Sequence, residues 1–302
     1  MAGKIRKLGI AVALTAIFAL VIVVLAVPSS EVGVTCVVGT EGLPPPVYDL
    51  STVPQSVVDD AVGLANELFR DGEEECSHFI NQLLAMYLEA KDKDFVVVFN
   101  PGGWGWNLVE ASPDWWSIFS GIKSELDSSG YSSLLLNYQR TTDSLHGHID
   151  ELVEMMTRYP SKAKDLASRV EFLTSHIPDL RVIVTGESNG TIICDSVMNE
   201  LKDNPRVYSV QTGPPFWHKN IMLDRTLLLT SNGIIPDSFS QGDFLTMIGA
   251  NLKALFGLSQ PEDDSGKILH FVRAPGHEYK WQYPGVYSEI INFLDRNFGI
   301  KW

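Results

Sequence analysis

Two kinds of hydrophobic pattern alternate along the chain. Apolar residues recur at helical spacing in 57–69, 79–90, 114–126, 148–176 and 286–298, and again in the stretch after Gly190. Short runs that are mostly apolar occupy 95–100, 131–138, 181–185, 206–211, 226–230 and 267–272. A run that is apolar on both faces is typical of a buried parallel strand. Strands that alternate with helices in this way predict an α/β fold with a mostly parallel, doubly wound sheet.

The N-terminus carries a different pattern. Residues 8–27 contain no charge, and the basic residues Lys4, Arg6 and Lys7 precede them. As a helix this run would be roughly 30 Å long, the thickness of a bilayer core, and the positive flank would stay inside. We expect an uncleaved signal anchor, a single-pass transmembrane helix with the rest of the chain on the extracytoplasmic side. The alternative is a cleaved signal peptide and secretion, but Pro28 makes a poor cleavage site.

The pattern divides the chain into three parts. Residues 1–27 form the predicted transmembrane segment, and 28–56, with three successive prolines at 44–46, form a linker or strap. Residues 57–302 form a single predicted α/β domain. Two predicted helices within 57–91 precede its first strand, and we expect them to cover the edge of the sheet as a helical cap region.

The net charge and the cysteine pattern argue against two classes of function, nucleic-acid binding and metal binding. The 302 residues carry 37 acidic and 23 basic side chains, so the net charge is −14. Such a surface repels phosphate backbones, which argues against nucleic acid as a partner. In an exported chain Cys36 and Cys76 could form a disulfide, whereas Cys194 is expected to be a buried free thiol. No Cys-x-x-Cys or His-x-x-x-His spacing occurs, and we expect neither a metal nor another cofactor.

A candidate catalytic serine follows the run at 181–185. The sequence there is Gly186-Glu187-Ser188-Asn189-Gly190, with an apolar run at helical spacing after it. The two glycines lack Cβ atoms where strand and helix come close, so the turn can be sharp and can present Ser188 outwards. The Asn189 N–H, at the start of the helix, would point beside the serine hydroxyl. Gly-x-Ser-x-Gly also occurs in ordinary turns, so this motif needs support from the rest of the chain.

A glycine-rich loop follows the strand predicted at 95–100. Its sequence is Pro101-Gly102-Gly103-Trp104-Gly105-Trp106. It does not match a phosphate-binding loop, since Leu108 replaces the third glycine of a dinucleotide motif and no Gly-Lys-Ser/Thr follows. Glycine N–H groups can approach a ligand oxygen closely, as an oxyanion site requires. A plain strand-to-helix turn is the alternative interpretation.

From Phe95 to the C-terminus the chain resembles the α/β-hydrolase superfamily, in particular its serine esterases and lipases. The resemblance rests on three motifs in the family's order: the glycine-rich loop after an early strand, the elbow at 186–190, and Gly276-His277 after the last predicted strand. It implies Ser188 as nucleophile and His277 as base. It also implies that the oxyanion donors are the N–H groups of Asn189 and of Gly103 or Trp104.

The sequence supports His277 independently of the family. It lies on a loop that follows a predicted strand, where sheets of this kind place their ligands, and His218 is its best rival. The acid is less well defined, because Asn232 occupies the position where the family expects Asp or Glu. An amide would orient the imidazole less well and could not stabilise its charge. Asp237 is our first choice for the acid and Asp243 the alternative, although either could cap a helix instead.

Two apolar features bear on the substrate. The stretch 244–258 has an amphipathic pattern. We favour a helix that packs over the sheet, and the alternative is a lipid-sensing lid. Four tryptophans, Trp104, Trp106, Trp115 and Trp116, lie close to the glycine-rich loop and could form the wall of a site for an apolar group, although tryptophans are also common in cores.

These features together predict a serine hydrolase that cleaves carboxylic esters through a Ser-His-acid triad and an acyl-enzyme. The expected substrate is a small-molecule or lipid ester, and the expected membrane contact is the N-terminal helix. One alternative is a non-catalytic binding protein on the same fold, which Asn232 would favour. The other is an acyltransferase or amidase that uses the same triad, which the sequence does not distinguish from an esterase.

Overall fold

The computed structural model describes residues 34–37, 48–70, 72–221, 223–268 and 271–300. The predicted transmembrane segment 8–27 and most of the predicted linker lie outside these residues. Within the described residues no helix is long and apolar enough to cross a bilayer. The anchor at 8–27 therefore stays a prediction from sequence.

Six of the described strands form one sheet. They are β1 (Val34–Val37), β2 (Phe95–Asn100), β3 (Ser133–Gln139), β4 (Arg181–Glu187), β5 (Val207–Thr212) and β6 (Thr226–Leu229). Their order across the sheet is β1-β3-β2-β4-β5-β6, and every pairing is parallel except that of β1 with β3. The sheet is therefore mostly parallel, as its near-continuous apolar strands predict.

Helices cover both faces of this sheet. In chain order they are α1 (Gln55–Phe69), α2 (Glu73–Ala90), α3 (Pro113–Ser128), α4 (Leu145–Thr157), α5 (Pro160–His176), α6 (Gly190–Glu200), α7 (Phe244–Leu255) and α8 (Pro284–Phe298). Side chains alternate between the faces along each strand. One face of β2, β3 and β4 packs against α1, α2, α5 and α6, and the other packs against α3 and α8. Helices α1 and α2 thus belong to a layer over one face, rather than covering only the edge of the sheet.

The strand order creates a switch point between β2 and β4. After β2 the chain moves to β3 on one side, and β4 then returns to the other side of β2. The loops that leave the carboxyl ends of β2 and β4 therefore diverge and leave a crevice between them, which is where open α/β sheets bind ligands. Pro101 follows β2 at this edge and Ser188 follows β4.

The edge strand β1 enters the sheet at this same edge. In its antiparallel pairing with β3, Val34 lies opposite Gln139 at the carboxyl end of β3, and Val37 lies opposite Leu136. Six residues lie between Val27, the end of the predicted anchor, and Val34, and the seven Cα-to-Cα steps between those two residues span at most about 25 Å.

Some local predictions were wrong. The stretch 148–176 is two helices, separated at Arg158 and Tyr159, which both have a positive φ. The stretch 267–272 was predicted as one strand of the main sheet, but its described residues belong to a separate two-stranded sheet, in which Lys267–Ile268 (β7) pairs with Val272–Arg273 (β8). Cys194 is buried and free, as predicted. Cys76 is also a free buried thiol, and the Cys36 side chain lies outside the described part of the chain.

Two glycines permit the close contact between β4, α6 and the end of β2. A Cβ on Gly190 would lie 2.4 Å from the Asn100 carbonyl oxygen, and a Cβ on Gly186 would lie 2.8 Å from the Gly190 carbonyl carbon. Real Cβ atoms do not come this close to backbone. Helix α6 can therefore begin directly against the neighbouring strand only because neither position has a side chain.

We expect Gly190→Ala to destabilise the fold, because the methyl group would force backbone apart at the switch point. A loss of about 1–3 kcal/mol is typical of such overpacking. Gly249→Ala, in the interior of α7 with nothing within 4 Å of the added methyl, is the matched control and should be stabilising by up to about 1 kcal/mol. Urea unfolding followed by circular dichroism measures both, and equal effects would contradict the close contact.

Candidate active site

Ser188 occupies a sharp turn between β4 and α6. Its φ is +48°, in the left-handed region that side chains other than glycine rarely adopt. Its own N–H donates to the Thr212 carbonyl at the end of β5, 2.9 Å away, which fixes the turn to the next strand. A non-glycine residue held in this conformation is a form of backbone strain that concentrates at functional sites.

His277 and Asp237 form a buried pair. The His277 Nδ1 lies 2.8 Å from Asp237 Oδ2, and the two residues are 9% and 0% exposed. Asp237 also accepts hydrogen bonds from the Phe239 N–H, from the Ser240 N–H and hydroxyl, and from the Tyr279 hydroxyl. A carboxylate bound to Nδ1 keeps the proton there, which leaves Nε2 as the acceptor nitrogen.

The pKa of Asp237 reflects this environment. Burial alone would raise it, but the hydrogen bond and charge of His277, together with the Ser240 donors, outweigh burial and hold the pKa below its ordinary value. Burial and the neighbouring Asp237 charge raise the pKa of Tyr279 well above its usual range, so its hydroxyl stays a donor. The carboxylate is therefore ionised at neutral pH.

The other candidates from the sequence lie elsewhere. Asp243 caps α7, where it accepts from the Thr246 N–H and hydroxyl. Asn232 binds the loop that carries His277, through its side-chain N–H groups to the carbonyls of Gly276 and Glu278. His218 is paired through Nε2 with Asp195 on α6, 2.7 Å away. The fold, rather than a motif, thus selects Asp237 as the partner of His277.

Arg140 organises the glycine-rich loop, and the sequence analysis missed it. The guanidinium is fully buried and donates to the carbonyls of Pro101 and Gly103, while the Arg140 N–H donates to the Gly105 carbonyl. Its Nε pairs with Glu151 on α4 at 2.8 Å, where both side chains are inaccessible to solvent. Turning three carbonyls towards Arg140 fixes the conformation of the loop that carries the Gly103 and Trp104 N–H groups. The only sequence signal was a charged residue directly after an apolar strand.

Ser188, Asn189, Gly103, Trp104 and His277 line one cavity of about 620 Å³. A cavity of this size holds a small organic molecule. The structure therefore brings the serine, the histidine and both candidate oxyanion segments to a single space at the switch point.

Aromatic residues line the other side of this cavity. They come from the loop after β5 and from the segment that leads into α7, namely Phe216, Trp217, Phe239 and Phe244. The Phe216 ring is in edge contact with each of the other three, and Phe239 contacts the His277 ring edge to face, with centroids 5.0 Å apart. The tryptophan wall predicted from sequence is wrong in part.

Of the four tryptophans near the loop, Trp104 does line the cavity. Trp115 is a core residue whose indole N–H donates to the Thr212 hydroxyl, and Trp116 lies on the surface. Trp106 is half-buried and is not among the residues that line the cavity, although the adjacent Asn107 is. The aromatic wall comes instead from loops distant in sequence, which no local pattern indicates.

Two carboxyl groups at the cavity are poorly solvated. Removal from water raises the pKa of Glu187, and the Asp114 charge raises it further against the opposing effect of His277. Burial likewise raises the pKa of Asp114, as does Glu278, while Lys280 opposes this. Burial thus favours the neutral, protonated form of both carboxyls, which lowers the charge along this part of the cavity wall.

Comparisons with known proteins add little to this site. No family model matches the sequence, and the search of curated proteins returns no match. Among solved structures, the chain is similar to a Trichoderma reesei cutinase in complex with a C11Y4 phosphonate inhibitor, at 14% identity, over 64% of this chain and 82% of the cutinase. The TM-score of 0.34 is too low to support an argument.

We expect Arg140→Met to destabilise the protein strongly, because it leaves Glu151 as an unpaired buried carboxylate. Breaking a buried ion pair in this way costs about 3–5 kcal/mol. Lys123→Met breaks an exposed pair with Asp127 on α3 and should change stability by at most about 1 kcal/mol. Urea unfolding measures the free energy of unfolding of both variants. A small decrease of similar size in both would show that Arg140 does not hold the loop in place.

Asp237→Asn should reduce stability at neutral pH and not in acid. A carboxylate whose folded pKa is lowered contributes stability above its unfolded pKa, and that contribution is lost as the pH falls through the folded pKa. The difference in unfolding free energy between wild type and variant should therefore be largest near pH 7 and should shrink below about pH 4. A difference that stays constant from pH 7 to pH 3 would contradict an ionised Asp237.

Proposed function

We propose that the chain is a serine hydrolase that cleaves carboxylic esters, with Ser188 as nucleophile, His277 as general base and Asp237 as the orienting acid. The observation that carries this proposal is the shared cavity. It holds a serine in a strained left-handed turn together with a histidine whose other ring nitrogen is bound to a buried carboxylate. A serine hydroxyl needs these neighbours in order to act as a nucleophile.

The proposed reaction follows from the positions of the groups. The Ser188 hydroxyl attacks the ester carbonyl while His277 Nε2 takes its proton, and Asp237 stabilises the charged imidazole. The backbone N–H groups of Asn189 and of Gly103 or Trp104 bind the oxyanion. His277 then protonates the departing alcohol, and water attacks the acyl-enzyme by the reverse sequence.

An ester with an apolar group suits this cavity. The aromatic wall gives such a group a place to bind, and burial disfavours charge on the Glu187 and Asp114 carboxyls that also line the cavity. The alternative of a non-catalytic protein loses its main support, since Asn232 does not take the place of the acid beside His277. Acyl transfer and amide hydrolysis would use the same groups and differ in the acceptor or leaving group.

A fluorophosphonate probe tests the nucleophile. Ser188 should attack the phosphorus and release fluoride, so that wild type is labelled at Ser188 and Ser188→Ala is not. Ser196→Ala removes another serine of α6, whose hydroxyl bonds to the Ile192 carbonyl, and should be labelled like wild type. Labelling that persists in Ser188→Ala, or its absence from wild type, would overturn the proposal.

The acid is tested separately by turnover of a soluble short-chain ester. Asp237→Asn should lower kcat by about 10⁴-fold, because the amide stabilises the wrong imidazole tautomer. Asp243→Asn is the control and should stay within a factor of about three, since that carboxylate only caps α7. Equal losses in the two variants would remove Asp237 from the proposed triad.

A further inference from the structure

Helix α7 exposes most of its apolar side chains. Of its residues only Met247 and Ala250 are buried, and Met247 packs with Phe239 and Ala274 in a small cluster against Ile268 and Val272 of β7–β8. The helix does not cover the sheet, which corrects the packed-helix prediction for 244–258. Its outer side and the residues after it form what we call the α7 face: Leu245, Ile248, Leu252, Leu255, Phe256 and Leu258, each more than half exposed.

This face adjoins the mouth of the cavity. Phe244 and Met247 line the cavity from the first turns of α7. On α4, Leu152 and Met155 also line it, and the same helix exposes Leu145 and Met156, at 79% and 77%. Apolar groups therefore surround the opening from two helices, whereas monomeric soluble proteins rarely expose contiguous apolar patches of this kind.

The α7 face is also free of acidic residues. From Phe244 to Gln260 the only charged residue is Lys253, in a chain with 37 acidic residues and a net charge of −14. Lys253 is paired with Asp263. A surface that lacks acidic groups in a strongly acidic protein can approach an apolar phase without burying charge.

The course of the chain before β1 indicates which apolar phase this is. Val34 enters the sheet beside Gln139, at the edge that carries Ser188 and the cavity. The sequence predicts a bilayer-spanning segment that ends at Val27, no more than about 25 Å of chain away. A domain attached to a membrane at this edge turns its cavity mouth, and the α7 face beside it, towards that membrane.

We propose that the α7 face lies in the interfacial layer of the lipid bilayer, so that the cavity opens directly onto the membrane. Apolar contact provides the attachment, because the net negative charge of the chain gives no attraction to anionic lipids. The substrate would then be a lipid ester that enters from the bilayer without crossing water. This second statement rests on the proposed esterase function, whereas the docking does not.

Fluorescence quenching tests the docking without any requirement for activity. The full chain carrying Leu245→Cys is labelled with an environment-sensitive fluorophore and reconstituted in phosphatidylcholine vesicles with or without lipids that bear a quencher near the headgroup. Lys91→Cys, an exposed site between α2 and β2 at the opposite edge of the sheet, is the matched control. Native Cys76 and Cys194 are buried, and labelled wild type gives the background signal of all native cysteines, including Cys36.

We expect the quencher to reduce emission at least twofold for the label at 245 and to leave the label at 91 unchanged. Equal quenching at both sites, or none at 245, would overturn the proposal. Absence of quenching with concentration-dependent cross-linking between Leu245→Cys chains would assign the face to a second copy, and would likewise overturn it.

The substrate class is tested with Leu245→Asp/Leu255→Asp, whose altered side chains are mostly in solvent and outside the cavity. Hydrolysis of a bilayer-embedded ester should fall at least tenfold, while a soluble short-chain ester should be cleaved at the wild-type rate. Lys91→Asp makes the same charge change at the opposite edge and should leave both rates unchanged. Equal loss on both esters would overturn the substrate assignment. If wild type cleaves neither, the esterase function and this substrate fail, and the quenching result alone decides the docking.

Discussion

The structure depends on a direct backbone contact at the switch point of the sheet, where Gly186 and Gly190 have no side chains. Helix α6 begins against the last residues of β2, at a separation that no side chain at position 190 would allow. This contact places the turn at Ser188 next to the glycine-rich loop after β2. The hydrogen bond from the Ser188 N–H to Thr212 then connects the turn to β5. The absence of side chains at Gly186 and Gly190 thus fixes how close the loop after β2 lies to the turn after β4, on the two sides of the crevice.

The buried ion pair between Arg140 and Glu151 holds the glycine-rich loop after β2. Arg140 and Glu151 are both removed from solvent, and the desolvation of two charges makes such a pair a poor source of net stability. Its structural effect is more specific, because the guanidinium gathers the Pro101 and Gly103 carbonyls at one point. The Gly102 and Gly105 N–H groups of this loop donate to the Glu187 carboxyl and the Gly102 carbonyl, so the candidate oxyanion donors are the N–H groups of Gly103 and Trp104. The same pair connects α4, which lines the cavity, to the end of β3.

The cavity combines polar groups that hydrogen bonds hold in place with aromatic side chains that line the wall. Asp237 is bound by backbone, hydroxyl and imidazole donors, so that its position is determined by several segments at once. The aromatic side chains across the cavity come from surface loops and from α7, which the core holds through only two buried residues. The polar part of the site is thus built into the core, whereas Phe216, Trp217 and Phe244 of the apolar part are 42–50% exposed.

The sequence by itself determined the elements and the two residues most central to the site. Uninterrupted apolar runs predicted β2 and β4 with nearly the observed bounds, because both faces of these strands are covered. The motif around Ser188 and the loop with His277 were recognisable because local backbone geometry requires glycine there. Predictions failed where the local pattern was ambiguous, as at β7–β8, whose short strands pair with each other instead of with the sheet.

Only the tertiary structure decided which side chains meet. Asn232 and Asp237 are five residues apart in one loop, and nothing in their spacing shows that Asp237 contacts His277 while Asn232 binds the backbone beside it. Arg140 and the aromatic residues near Phe216 were missed for the same reason. Hydrophobic periodicity reports which side of an element is covered, and that is a local property of the chain. Contacts between loops depend on how distant segments are brought together by the sheet, which no single stretch of sequence encodes.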